Sequence, residues 1–127
     1  MTAASLLAVF LGGGSGAVAR YSLGRFIGER YSGEFPLATF LINVSGCFSL
    51  GVVETVAQKS TSSLVIALLA TGFLGGYTTF STYTLEGVIL YLDGARRTAV
   101  LSLIGPVVVG ILAAALGVIV GQMAQGA

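Results

Sequence analysis

Thr71-Gly-Phe-Leu-Gly-Gly-Tyr-Thr-Thr-Phe-Ser-Thr-Tyr-Thr-Leu-Glu86 is a run of glycines and hydroxyls set where a membrane-spanning helix should be uninterrupted. Apolar residues 64–74 lead in and residues 85–92 lead out, so the segment has the length of one span but a polar, flexible middle. Backbone groups freed by a helix break find no water in hydrocarbon, and irregular backbone persists at that depth only when it is buried in protein or lines a wet path. The stretch therefore points to an ion site.

The rest of the chain agrees with a bilayer setting. Of 127 residues, 55% are hydrophobic and 9% charged, with a mean hydropathy of +0.96; soluble domains carry roughly a quarter charged residues. A net charge of +1 without a basic tract leaves no electrostatic footprint for nucleic acid. The single cysteine, Cys47, lies in an apolar run and reads as a small buried side chain. With no histidine in the chain, transition-metal sites and Ser-His catalysis lose their usual residues, so no enzyme is expected. The start Met1-Thr-Ala-Ala-Ser5 has no positive flank, so no cleaved leader is expected.

A hydrocarbon core takes about 20 apolar residues to cross, and residues 5–27, 37–57, 64–92 and 98–120 qualify, the third with its break at 75–79. The predicted fold is an all-α membrane protein of four transmembrane helices forming one domain over residues 1–127. Connections at 28–36, 58–63 and 93–97 hold most of the charges and turn formers. Glycine is abundant, 19 in all, and most of it falls inside the spans, where small residues let helices approach closely. Four thin helices enclose little volume, so a dimer is the smallest assembly expected. Arg20, Arg25, Arg30, Arg96 and Arg97 fall on the side of the first and third connections, and Lys59 alone marks the other side. The positive-inside rule then places both termini outside the cytoplasm.

Within the spans the polar residues are few enough to weigh one by one. Gly14-Ser-Gly16-Ala-Val-Ala19 matches a dinucleotide fingerprint formally, but another span follows where an α/β domain is required, and close helix packing is the better account. Thr39, Asn43 and Gly46 share one face of the second span. The Asn43 amide is suited either to a neighbouring helix or to an anion, which its N–H groups can meet. Glu54, near the span's end, reads as interfacial. Gly75-Gly76 is expected to break the third helix, leaving carbonyls around Gly75 and Thr78 without partners, and a cation of sodium size would satisfy them. Phe80 and Tyr83 lie three apart on one face, and the positive edges of their rings can touch a partly dehydrated anion without holding it fast. Thr79, Thr82 and Glu86 share the neighbouring face. Glu86 is an intramembrane acid, costly to bury and so a functional candidate; protonation, an arginine partner, and a hydroxyl such as that of Thr39 or Thr82 are all open to it. The fourth span offers only Ser102 and the kink-capable Gly105-Pro106.

Taken together, these residues resemble the Fluc fluoride channels, small four-span proteins of bacterial membranes. The resemblance covers the whole chain in length and span order and rests on Gly72-Phe-Leu-Gly75-Gly-Tyr-Thr78-Thr-Phe80-Ser-Thr-Tyr83-Thr-Leu-Glu86, with support from Gly12-Gly-Gly-Ser-Gly-Ala-Val-Ala-Arg20 and Thr39-Phe-Leu-Ile-Asn43. It implies a multi-pass protein of the bacterial inner membrane that exports fluoride passively and underlies fluoride resistance. It also implies an antiparallel dimer with two pores and a central sodium ion that is structural and not transported. By position the sodium ligands would be the backbone carbonyls of Gly75 and Thr78 from both subunits. Asn43, Phe80 and Tyr83 would line the fluoride path, with Thr39, Thr82, Glu86 and Ser102 at its polar positions and Arg20 at the approach.

The chain departs from that pattern in two places. Tyr83 stands where the second ring is usually phenylalanine, and Pro106 and Gly110 stand where the fourth span often carries hydroxyls, which predicts a weakened pore. Oppositely inserted identical copies should show almost no charge bias, yet this chain shows one, so a second, different chain of opposite topology is the alternative partner. The rival function is a small dual-topology, proton-coupled exporter of organic cations, built around the glutamate; it leaves the glycines and hydroxyls of 72–84 without a task.

Overall fold

A computed structural model describes residues 1–60 and 62–126, and the only regular structure among the described residues is helix, with no strand. Helix α1 spans Ala3–Arg30 and α2 Leu37–Ser60; α3 covers 63–77, α4 Ser81–Leu92, and α5 Arg96–Gly126. Four stretches, Ala3–Arg30, Leu37–Lys59, Ser63–Leu92 and Arg96–Gly126, are long and apolar enough to cross a membrane. At about 1.5 Å per residue each exceeds the ~30 Å of hydrocarbon. The chain is a multi-pass membrane protein. Thr61, in the expected second connection, lies outside the described residues.

Local chemistry sets the helix ends. Thr2 caps α1 by accepting from the Ser5 N–H at 3.1 Å. Pro36 starts α2, and Phe35 and Phe40 meet edge-on across it with centroids 5.5 Å apart, a hydrophobic staple that sets the entry angle. After α4 the chain takes a left-handed residue at Gly94, φ 88°, with Gly94 N–H on Tyr91 O and Ala95 N–H on Leu90 O. That pairing is a Schellman closure, and it needs glycine because a side chain resists positive φ. Thr98 donates to Glu34 at 2.6 Å, so the first and third connections sit at one end of the molecule, together with Arg30, Arg96 and Arg97. There Arg30 lies over Phe26, 3.7 Å from the ring centroid, as suits the boundary between hydrocarbon and water.

Two close helix pairs make up most of the packing, α1 with α3 and α2 with α5. A Cβ at Gly12 would strike Leu68 O, one at Gly16 Phe73 O, and one at Gly76 Gly13 O, so α1 and α3 meet backbone to backbone through Gly12/Gly16 and Gly72/Gly76. Across α2 and α5, Gly51 faces the Ala114 carbonyl and Gly117 the Phe48 carbonyl. Lipid gives helices no hydrophobic reason to associate, so this close approach is what holds them together. The buried apolar set is small, comprising Ile42, Ala67, Leu74 and Ala99, while long side chains such as Phe10, Leu92 and Ile111 point outward.

The third span is not a regular helix. Residues Ala67–Leu74 are wound as a π-helix, a single α-turn Gly75–Tyr77 follows, and the chain is extended at Thr78 (φ −78°, ψ 161°) before α4 begins at Ser81. The interruption thus falls at Thr78–Phe80, and the glycine pair expected to break the helix stays inside it. The reason is packing: Gly76 must remain helical to lie on the Gly13 carbonyl, and Gly46 of α2 clears the space that the Thr78 γ-methyl fills.

Candidate functional site

The break is pinned from α2. A continued helix would send the Thr79 N–H to Gly75 O; here it goes to Asn43 Oδ1 at 2.9 Å, while Asn43 Nδ2 donates to Thr79 O at 2.8 Å. Donor and acceptor complement each other at both ends, which settles the amide orientation. One Nδ2 proton remains for another acceptor. Thr39, one turn before Asn43, donates to Glu86 Oε1 at 2.5 Å, and Gly46, one turn after, receives Thr78. The face of Thr39, Asn43 and Gly46 therefore holds the whole interruption, and of the three states open to Glu86 the structure displays the threonine partner.

Around the break, Thr79 Oγ1 donates to Thr82 Oγ1 at 3.0 Å and accepts the Thr82 N–H at 3.2 Å, which starts α4. Arg20 reaches from α1 and donates through Nη1 to Thr78 O at 3.2 Å. Phe80 and Tyr83 stand with ring centroids 5.9 Å apart, tilted by 53°, and Phe80 is 77% exposed. The Tyr83 hydroxyl donates to the Leu103 carbonyl of α5.

Two cavities meet here. One, of about 320 Å³, is lined by Arg20, Arg25, Thr39, Thr79 and Thr82 among others. The second, of about 400 Å³, is lined by Asn43, Gly75, Thr78, Thr79, Phe80, Tyr83 and Pro106, with apolar neighbours. Thr79 belongs to both walls, and the first cavity carries two cations, three threonine hydroxyls and the Tyr21 phenol, a setting for an anion. Glu86 looks into a third space, about 340 Å³, at the end that holds Tyr31 and Glu34.

Most of the residues expected from the sequence are therefore neighbours: Thr39 with Glu86, Asn43 with Thr79, Thr79 with Thr82, Arg20 with Thr78, Phe80 with Tyr83. Ser102 stands apart, only 1% exposed and donating to Ala99 O of its own helix at 2.8 Å, and it lines neither of the two cavities. Tyr77 was not singled out from the sequence, yet its hydroxyl lies 2.9 Å from Ser45 Oγ and ties the turn before the break to α2.

Residues 7–118 match the family described as "CrcB-like protein, Camphor Resistance (CrcB)". The chain belongs to the CrcB-like family. Among curated relatives it is 45% identical over 116 residues to the "Fluoride-specific ion channel FluC" of Acidobacterium capsulatum, covering 90% of this chain and 93% of the relative. It is 41% identical over 121 residues to "Fluoride-specific ion channel FluC 1" of Carboxydothermus hydrogenoformans, covering 95% and 96%. With "Fluoride-specific ion channel FluC 2" of Brucella abortus it shares 39% over 127 residues, covering 97% and 98%. The matched range, residues 7–118, includes the interruption, Asn43 and the two rings.

Proposed function

We propose that the chain is a fluoride-selective channel of the bacterial inner membrane, not an enzyme, and that it exports fluoride passively from the cytoplasm. The observation that carries this reading is the side-chain clamp of Asn43 on Thr79, which holds a helix interruption open beside two aromatic edges. Relatives named as fluoride-specific ion channels support it.

Hydrogen fluoride crosses a bilayer as a neutral acid and releases fluoride in the more alkaline interior; a channel lets the trapped anion leave down its gradient. The ion would collect in the cavity of Arg20, Arg25 and the threonines, where positive charge concentrates it. It would then pass Thr79, meet the spare Nδ2 proton of Asn43, and move along the edges of Phe80 and Tyr83. Sparse donors and ring edges replace part of the water shell without trapping the ion, and a narrow path rejects larger anions. Glu86, held by Thr39, stands at the far end of the hydroxyl row. A proton-coupled cation exporter would need that carboxylate for its cargo and gives the clamp no work.

The chain would act as an antiparallel dimer with two pores, since so small a core leaves the groove of Gly75 and Phe80 open on one side. The partner is a second copy, or a different chain of fixed opposite topology as the arginine bias suggests. Gly75 and Thr78 would hold a structural sodium ion through their carbonyls. The residues fit a cation: among the described residues no donor reaches Gly75 O, and nothing lies within 4 Å of where a Cβ on Gly75 would stand. Thr78 O keeps a lone pair beside the Arg20 bond. Such an ion would supply fixed positive charge that joins the two breaks.

Liposomes loaded with fluoride and carrying the purified protein test the proposal. Rapid efflux that needs sodium and is abolished by Phe80→Ile is the predicted result. Absence of fluoride efflux together with proton-driven uptake of an organic cation would refute it.

A further inference from the structure

Pro106 lies inside α5 and brings no N–H, so Ser102 O lacks the donor that a regular helix supplies at that turn. The Ser102 hydroxyl turns the other way, to Ala99 O. The neighbouring carbonyl, Leu103 O, takes the hydroxyl of Tyr83. One turn further along α4, Gly87 is closed against the Leu103 side chain, where an added Cβ would come within 3.1 Å of Cδ1. Leu103 is thus gripped twice by α4, through its side chain and through its carbonyl. Tyr83 and Pro106 both face the same groove.

We propose that Tyr83 is a positioning residue: its hydroxyl is committed to the Leu103 carbonyl in the Pro106 turn, which ties α4 to α5 and leaves only a ring edge for the ion. The inference rests on the channel reading. A phenol has one proton to give, and a proton held by a backbone carbonyl is not free for fluoride. The ring edge keeps its positive hydrogens whatever the hydroxyl does, so Tyr83 serves as a phenylalanine would. Tyr83 and Pro106, two of the positions where this chain departs from the Fluc pattern, then meet at one turn: proline leaves Ser102 O without its helical donor, and tyrosine adds a donor at the adjacent Leu103 O. The pore is tethered, not weakened.

The test combines fluoride efflux from liposomes with infrared spectroscopy of ring-labelled tyrosine, subtracting Tyr83→Phe from the parent. Efflux from Tyr83→Phe, which loses the tether and keeps the ring edge, should exceed efflux from Tyr83→Leu, which loses both, by about tenfold or more. The phenol C–O band of Tyr83 should carry a donor signature and should not move when chloride is exchanged for fluoride. A band that shifts on adding fluoride, or efflux from Tyr83→Phe as low as from Tyr83→Leu, overturns the proposal by putting the hydroxyl on the ion. A thermal-unfolding cycle with Pro106→Ala reads the link to proline. The drop in midpoint caused by Tyr83→Phe should shrink in that background, and equal drops in both overturn the link. A parent that conducts no fluoride refutes the channel reading itself, and the ion-facing half of this proposal with it, whatever the band shows.

Discussion

Replacing Asn43 by leucine, which has nearly the same size and shape, removes both bonds to the Thr79 backbone and leaves its N–H and C=O unpaired. Each intramolecular hydrogen bond contributes about 1 kcal/mol net, and each orphaned buried group costs about 1–3 kcal/mol. Interhelical bonds measured in membranes fall lower, about 0.6 kcal/mol on average and up to about 1.7. Thr79 is 8% exposed, so water offers it little relief. Asn43 is half-buried, which trims the upper figure, and two bonds then give a loss of about 2–4 kcal/mol. The assay is unfolding of the detergent-solubilised protein by increasing mole fraction of sodium dodecyl sulfate, followed by circular dichroism. Asn43→Asp keeps the acceptor for the Thr79 N–H but sets a carboxylate against the Thr79 carbonyl, so it should be at least as unstable as the leucine variant and abolish fluoride efflux by placing a charge in the path. Ser45→Ala, which removes an exposed bond to Tyr77, should cost less than about 1 kcal/mol. An Asn43→Leu protein that unfolds within about 0.5 kcal/mol of the parent would show that the clamp does not hold the interruption.

Three further outcomes follow from the same geometry. Gly16→Ala should abolish folded protein on size-exclusion chromatography because its Cβ meets the Phe73 backbone, whereas Gly14→Ala, with nothing within 4 Å, should leave stability equal or up to about 1 kcal/mol higher. Thr39→Val leaves the Glu86 carboxylate without its hydroxyl and should lower fluoride efflux by about tenfold or more, while Thr39→Ser keeps the bond and the rate. Gly94→Ala must take a positive φ of 88° with a side chain and should cost about 1 kcal/mol in the same detergent titration, with efflux unchanged.

Hydropathy made the four spans readable, because each needs a long apolar stretch and the charges cluster in the connections. The glycines were legible as close packing for the same reason, and Gly12, Gly16, Gly76 and Gly117 do that work. Spacing also placed Thr39, Asn43 and Gly46 on one face, but a face does not say what lies opposite it. The Thr39–Glu86 bond and the Asn43–Thr79 clamp required knowing that the interruption crosses α2. The break lies three or four residues beyond the expected Gly75-Gly76, at Thr78–Phe80, since a glycine pair suits both a break and a close contact and only the position of Gly13 decides between them. The π-helix over Ala67–Leu74 had no residue signature at all; its extra residue per turn is seen only once α1 lies against it. Ser102 looked like a pathway hydroxyl because it is the polar residue in an apolar span, yet a serine in a helix readily bonds back to its own carbonyls, and it does so here. Tyr83 carried a visible difference but not its consequence, because Leu103 is 20 residues away.

The central claim is that the clamped interruption conducts fluoride. A planar bilayer with fluoride on one side and an equal concentration of chloride on the other tests it most directly, through the voltage at which current reverses. The account predicts a large reversal potential of the sign set by fluoride, lost in Phe80→Ile along with the current. A current that reverses near zero, or one carried equally by chloride, would contradict it.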